Sequence, residues 1–481
     1  MTKDILISMR PGRASTAVVE GGRLVELIVD DANSGSLVGN IYLGRVEKVL
    51  DQLAAAFVDI GLGKSGFLGL AEARPINAER NGDDSISDYL VEGDKVVVQV
   101  QRDGFEDKGA KLTTRLALTG RILVMTPGDE GLRISRRIDD ADTRGRLDSL
   151  IGGLKTEDEG FIVRTAAAGA TDEEITGDIE NLRQSGLAME AARDTQTPPA
   201  LLLGEQDPTL RALRDLAGDN VARIVIDSAD ALASAKSWCA ASAPALADKL
   251  SHHNAAKPLF EAEGIEDDID SALGPEVALP SGGSVIFGET PALVAIDVNS
   301  GGTFRSGAEQ SALAANMEAV GEIARQIRLR NLSGLLVVDF ISMKKAESND
   351  KVLGAMKKAV SGDSMSVFVG GFTRFGLLEM TRRRGREALS KLLTRSCEMC
   401  EGIGYTRSPL TASLTALDRL FAENDSDPSM RLSLLVSPEL ADALDGEALA
   451  ALRAVEERLG RTIKITVDEE LAADGFDVVP E

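Results

Sequence analysis

The chain has 481 residues, with 53 Lys and Arg against 77 Asp and Glu, a formal charge of −24 and a pI near 4.7. That length suffices for about three domains with sizeable cores, and the net acidity argues against indiscriminate polyanion binding. Three cysteines exclude a disulfide framework, two histidines largely exclude His-based triads and His-rich metal sites, and no apolar run approaches a membrane span. Met1–Ser8 has no apolar core long enough for a signal peptide, so a soluble, cytoplasmic protein is expected.

In chain order, Asp4–Asp30 reads as short alternating strands around a turn at Glu20-Gly21-Gly22, a β unit too small to stand alone. From Val38 the texture changes. Gly39–Val46, Ala54–Gly61, Ser65–Leu70 and Gly93–Arg102 are short glycine-separated strands, broken by a polar loop at Asn77–Asp88, and predict a small closed barrel. Phe57 and Phe67 on neighbouring strands, with Lys64, Lys108 and Lys111 nearby, suit base stacking with phosphate neutralisation. Burial in the barrel core is the commoner use of phenylalanine, and from the residues alone it is the preferred reading.

Between Leu112 and Gln196, Ser135-Arg136-Arg137-Ile138 and Phe161-Ile162-Val163-Arg164-Thr165 each place arginine at a strand end. Such a pair, with a hydroxyl and free N–H groups, makes a terminal-phosphate pocket, whereas any one arginine alone can equally be a solvated ion-pair partner. Thr171–Ala192 is helical with an acidic first turn, and Gln196-Thr197-Pro198-Pro199 marks a boundary. Beyond it, helix Pro208–Leu216, strand Ala222–Asp227 and the mostly helical Asp230–Leu250 form the natural partner of the N-terminal β unit, implying one domain interrupted by a long insertion. Cys239 reads as a core residue and His252-His253 as a surface turn.

Ala292–Lys344 organises the rest. An apolar strand ends on Asp297-Val298-Asn299, a helix follows with Leu313, Met317, Val320, Ala324 and Ile327 in one stripe, and a second strand, Gly334–Val338, ends on Asp339. Continuous aliphatic runs predict strands buried on both faces. Asp297 and Asn299, two apart, share a face, and Asp339 at the next strand end could join them in an all-oxygen Mg²⁺ site. The alternative is that both aspartates merely start turns.

Helix Asp350–Ser361 and strand Met365–Val369 continue the pattern, and Thr373-Arg374-Phe375-Gly376 leads into an expected basic helix around Arg382-Arg383-Arg384. Gly371–Ser396 carries 7 basic and 2 acidic residues, so local charge leaves nucleic acid open. Cys397-Glu398-Met399-Cys400 followed by glycine is half a zinc knuckle; a second copy of the chain could supply the other two ligands, and a redox pair or idle thiols are the alternatives. An Asp/Ser-rich linker, Glu423–Pro428, is expected to precede a last small α/β module through Glu481. With 7 basic and 16 acidic residues, the stretch Gly404–Glu481 disfavours RNA contact there.

Taken in order, these segments resemble the bacterial ribonuclease E/G family over essentially the whole chain. The likeness is carried by Gly39-Asn40-Ile41-Tyr42-Leu43-Gly44, Ala55–Asp59 with Gly66–Leu68, Lys108-Gly109-Ala110, Ile134–Ile138, Val163-Arg164-Thr165, Ala295–Gly301, Ile327–Leu332, Val338–Ile341 and Arg374–Met380. The resemblance implies a ribonuclease H-like domain in two segments, 1–37 and 198–281. An OB-fold RNA-binding barrel (38–111) and a 5′-sensor region (112–197) interrupt it. A catalytic metal-binding α/β domain (282–395), a zinc-link (396–405) and a small C-terminal α/β domain (406–481) follow.

It further implies that Asp297 and Asp339 hold Mg²⁺ and that Asn299 helps hold the scissile phosphate. Phe57, Phe67 and Lys108 would bind RNA, and Gly120, Val124, Arg136, Arg164 and Thr165 would form the 5′-monophosphate pocket. Cys397 and Cys400 would share Zn²⁺ between two chains of a homodimer, with pairing of dimers into a tetramer left open. The expected function is a Mg²⁺-dependent endoribonuclease on single-stranded RNA, stimulated by a 5′-monophosphate, in rRNA and tRNA processing and mRNA decay. The alternative is a noncatalytic RNA-binding protein that keeps the barrel and the 5′-end pocket. Glu398 stands where the family usually has proline, and Ser342 where an acidic residue is common. The end at Glu481 leads one to expect the short, ribonuclease G-like form without a degradosome scaffold.

Overall fold

The computed structural model describes residues 2–31, 36–75, 84–104, 108–205, 207–218, 220–301, 308–400, 402–426 and 430–480. The chain divides into two compact units, Met1–Leu392 and Leu393–Glu481.

In the first unit, β1 (Lys3–Arg10), β2 (Arg13–Glu20) and β3 (Arg23–Asp31) form an antiparallel meander. Its second turn is made by Gly21 and Gly22, both at positive φ, where a side chain would strain the backbone. The meander is completed far along the chain by β14 (Val221–Ile226), parallel to β1, and β15 (Leu250–His252), giving the order β15-β14-β1-β2-β3. Helices Pro208–Leu216 and Ala229–Ser242 cover one face with Leu213, Leu232 and Cys239, which meet Ile5, Ile7, Ile224 and Ile226. Cys239 is fully buried, and His252 ends β15 rather than lying in a turn.

The barrel consists of β4 (Ile41–Leu50), β5 (Ala55–Asp59), β6 (Gly66–Gly69), β7 (Lys95–Arg102) and β8 (Lys111–Thr113), in the order β4-β5-β6-β8-β7 with β7 closing on β4. β6 and β8 run parallel and the other barrel pairs antiparallel, an OB-like closure. Val46, Val58, Leu68, Val98, Val100 and Leu112 fill it. Closure needs bare backbone at one crossing: a Cβ on Gly109 would lie 1.9 Å from the Ser65 carbonyl oxygen. The fifth strand, β8, is only three residues long and escapes a periodicity reading. Of the expected polar loop at Asn77–Asp88, residues 77–83 lie outside the described residues, and Ile86–Asp88 is a 3-10 turn.

Next come β9 (Leu118–Thr119), β10 (Leu123–Pro127), β11 (Leu132–Ile134) and β12 (Glu159–Val163), in the order β11-β12-β10-β9. Helix Asp172–Thr195 packs on this sheet through Ile175, Ile179, Leu182 and Met189. Thr171 and Glu174 close a capping box at its start. β13 (Ala200–Leu203) returns to pair with β4.

The last sheet of this unit has the order β16-β17-β18-β19-β21-β20: β16 (Glu276–Ala278), β17 (Ser284–Glu289), β18 (Val294–Asn299), β19 (Gly334–Asp339), β20 (Val367–Phe372) and β21 (Leu377–Arg382). Helices Ala308–Leu329 and Ala346–Val360 contribute to its core with Ala319, Val320, Ile323, Ile327, Val352 and Met356. Three expectations change here. β18 alternates buried and exposed along Val294–Asn299, so its strands are covered on one face only, and the aliphatic run overstated burial because Ala295 faces out. Met317 is 42% exposed, while Asn316, Glu322 and Gln326 are buried, so the inward side of that helix is partly polar. Finally, Arg382 ends a strand rather than sitting in a basic helix. It is buried against Asp363 by two hydrogen bonds of 2.8 and 3.1 Å.

In the second unit, helices Pro409–Ser426, Pro438–Asp445 and Leu449–Leu459 pack with β22 (Leu432–Val436), flanked by β23 (Ile465–Val467) and β24 (Phe476–Pro480). Of the expected linker Glu423–Pro428, residues 427 and 428 lie outside the described residues, and Glu423 belongs to helix Pro409–Ser426. Among the described residues no helix is long and apolar enough to cross a membrane.

Candidate functional site

β18 and β19 are parallel, and their register pairs Asp297 directly with Asp339. Adjacent strands lie about 4.8 Å apart, so the two carboxylates emerge side by side. Each is the exposed member of an alternating strand, while the residues before them, Ile296 and Val338, are 1% and 0% exposed. Buried apolar neighbours thus fix two acidic side chains on a solvent-open sheet face. Asn299 stands on the same face, and its Nδ2 donates to Asp297 Oδ2 at 3.0 Å. Among the described residues no group of three or more His, Cys, Asp or Glu side chains is arranged to hold a metal. A hard cation at this pair would therefore take its remaining ligands from water or a phosphate, as Mg²⁺ commonly does.

On the barrel, Phe57 and Phe67 are register partners, with ring centroids 6.0 Å apart at 79°. Phe67 is 36% exposed and Phe57 half-buried, so neither belongs to the barrel core, which corrects the core reading. The register extends the pair into a row: Lys48 opposite Phe57, and Lys111 opposite both Phe67 and Arg102. Lys108 is exposed and precedes Gly109 at the tight Ser65 crossing. A cation–aromatic–aromatic–cation row across strands has the chemistry that base stacking with flanking phosphates would use. Lys48 is easily missed in the sequence, because a bulge shifts its register by one residue.

A second polar cluster lies past the ends of β11 and β12. Arg164 Nη1 donates to the Gly120 carbonyl at 2.7 Å and Nη2 to Asp215 Oδ1 at 2.9 Å. Thr165 and Ser135 share a hydroxyl hydrogen bond of 3.1 Å. Val124, half-buried on β10, lies between Thr119 and Ile162 in register. Gly120 is packed against Asp178, and a Cβ there would lie 2.5 Å from the carboxylate. Asp178 accepts backbone N–H bonds from Arg121, Ile122 and Leu123 at 3.2, 3.0 and 2.8 Å, and so shapes the loop. Burial pushes the Asp178 carboxyl up, with those three bonds pulling the other way. Arg136 is exposed and makes no ion pair with a described residue.

Asp215 was not legible as part of this cluster, since it comes from helix Pro208–Leu216, 51 positions from Arg164. Burial alone would raise its pKa. Hydrogen bonds and charge from Arg214, then Arg164, outweigh burial and hold it below the usual carboxylate range.

A profile of the ribonuclease E/G family matches residues 117–385. Ribonuclease G of Salmonella typhimurium (strain SL1344) is 34% identical over the full length of both chains, as is ribonuclease G of Escherichia coli (strain K12). The chain belongs to the ribonuclease E/G family. Within it the chain is of the short, ribonuclease G-like form: ribonuclease E of Haemophilus influenzae is 36% identical over 96% of this chain but only 50% of its own length.

In the second unit, Cys397 is exposed and Cys400 half-exposed, neither in a disulfide. Cys400 Sγ accepts from the Gly404 N–H at 3.4 Å, and Gly402 and Gly404 are both at φ 87°. N–H groups of Gly404 and then Gly402, aimed at sulfur, lower the Cys400 thiol pKa. Thiolate character of this kind suits a metal ligand. Glu398 faces solvent in an ion pair with Arg395 at 3.2 Å.

Proposed function

We propose that this ribonuclease E/G-family endoribonuclease cleaves single-stranded RNA with Mg²⁺ held by Asp297 and Asp339. The observation that carries the reading is the register pairing of those carboxylates on an exposed strand-end face. A divalent cation held by Asp297 and Asp339 would supply Lewis acidity toward the phosphodiester and lower the pKa of a bound water, chemistry that would give 5′-phosphate and 3′-hydroxyl ends. The protein's own part is placement. β18 and β19 hold the carboxylates, and Asn299 orients Asp297. The Phe57–Phe67 pair clamps bases, with Lys108 near the strand. Gly120, Val124, Arg136, Arg164 and Thr165 receive a 5′-monophosphate, for which a guanidinium held at two points is a preorganised partner. Cys397 and Cys400 bind Zn²⁺ jointly with the same pair of a second copy, making a homodimer. The sheet joining residues 3–31 to 221–252 serves as a structural ribonuclease H-like domain. Processing of rRNA and tRNA and decay of mRNA are the cellular roles assigned to this activity.

The test is incubation of a 5′-monophosphorylated single-stranded RNA with wild type and Asp339→Asn in Mg²⁺. Wild type is expected to cleave, and the variant to lose roughly 100-fold or more, as when a charge-stabilising group is removed from an active site. Equal product from both, or none from wild type, overturns the reading; binding without cleavage would leave a noncatalytic RNA-binding protein.

A further inference from the structure

A cleft of about 450 Å³ runs along the outer edge of the catalytic sheet, where β20 is the last strand among the described residues. Phe368 lines it and is 69% exposed, an unusual place for an aromatic ring. Lys357 lines it too, exposed and without an ion pair to a described residue. Arg137 forms another wall. It follows Arg136 in sequence and donates from Nη2 to the Asp363 carbonyl at 2.7 Å, so the loop carrying the 5′-pocket arginine rests directly on the cleft. Arg383, exposed, is tied to the same wall by its backbone N–H on the Ser366 carbonyl at 2.9 Å. The carboxylate among the lining residues, Asp363, is 3% exposed and already neutralised by Arg382.

The cleft is therefore cationic and aromatic on a protein of charge −24. An extended peptide adding to the β20 edge would need no cations, whereas single-stranded nucleic acid uses this combination of stacking ring and phosphate partners. Its position adds a second argument. Phe368 pairs with Thr381, and Thr381 with Leu335, which shares the exposed face of β19 with Asp339 four residues on. The ring thus lies two strands across and four residues along from Asp339, the nearer of the two proposed metal-site carboxylates, on the order of 15 Å and a few nucleotides away.

We propose that this cleft is an RNA subsite between the 5′-end pocket and the scissile phosphate, with a base stacked on Phe368 and phosphates at Lys357 and Arg137. The inference rests on the nuclease reading above and extends it to the path of the strand.

The full chain carrying Asp339→Asn is titrated with a 5′-monophosphorylated single-stranded oligoribonucleotide containing 4-thiouridine. Adding Phe368→Ala is expected to weaken binding roughly fivefold to tenfold, the lower part of the range for one stacked base. Phe368→Leu, which keeps bulk and removes the ring, is expected to do the same. Lys357→Glu is expected to weaken binding and to reduce the slope of log affinity against log salt by about one or more. Ultraviolet crosslinking is expected to mark the tryptic peptide Ala359–Arg374. Affinities within twofold of the parent for all three variants, with no crosslink to that peptide, overturn the subsite, and so does capture of an extended peptide at β20 with RNA affinity unchanged. If wild type cleaves RNA normally in that event, the cleft alone is misassigned; if wild type neither binds nor cleaves, the nuclease reading has failed first.

Discussion

Arg164 shows how a single side chain is prepared for work. A free arginine must give up rotamer freedom on binding an anion, which offsets part of the attraction. Here the Gly120 carbonyl and Asp215 use two of its five N–H donors and hold the fork in place. Arg164→Ala is therefore expected to erase any preference for 5′-monophosphorylated over 5′-triphosphorylated RNA, measured as the ratio of kcat/KM on matched substrates. A retained preference would mean the pocket lies elsewhere.

Among elements, helix Asp172–Thr195 is clamped to the strand it covers. Arg183 donates from Nε and Nη2 to the two oxygens of Glu159 on β12, both at 2.7 Å, and Nη2 also reaches the Leu154 carbonyl. The two-point hydrogen bond from Arg183 is the main reason the Glu159 carboxyl falls from its ordinary 4.5 to about 2. The folded value lies below the unfolded one, so the stabilisation is present above pH 4.5 and is lost as pH falls toward about 2. Discounted for partial solvent screening, it amounts to on the order of 2 kcal/mol. Urea unfolding between pH 7 and pH 3 is expected to show Arg183→Gln less stable at neutral pH, with the gap to wild type narrowing in acid. A constant gap would assign the pair no electrostatic role.

At the scale of the whole molecule, the second unit carries the cysteine loop, and the proposed zinc would join it to another copy. Two thiolates cannot complete a tetrahedral site, and among the described residues no further His, Cys, Asp or Glu completes one within the chain. Cys397→Ser, or prolonged chelation of wild type, is expected to release zinc and halve the mass in analytical ultracentrifugation. An unchanged mass would refute the shared site.

What the sequence determined unaided is whatever follows from local order: the barrel's first four strands, helix Pro208–Leu216 to the residue, arginines at strand ends, and paired acidic positions closing two apolar strands. These are legible because period, turn chemistry and capping act within a few residues. Only the folded chain decided register and facing. The Asp297–Asp339 pairing, the outward Phe57 and Phe67, Lys48 beside them, Asp215 holding Arg164, and Arg382 buried instead of solvated all depend on partners in other elements, from nine positions away (Lys48 and Phe57) to 51 (Arg164 and Asp215). Burial is set by what another segment covers, and a one-residue change of register turns a side chain from core to solvent. That information is distributed across the chain, and no window along it contains it.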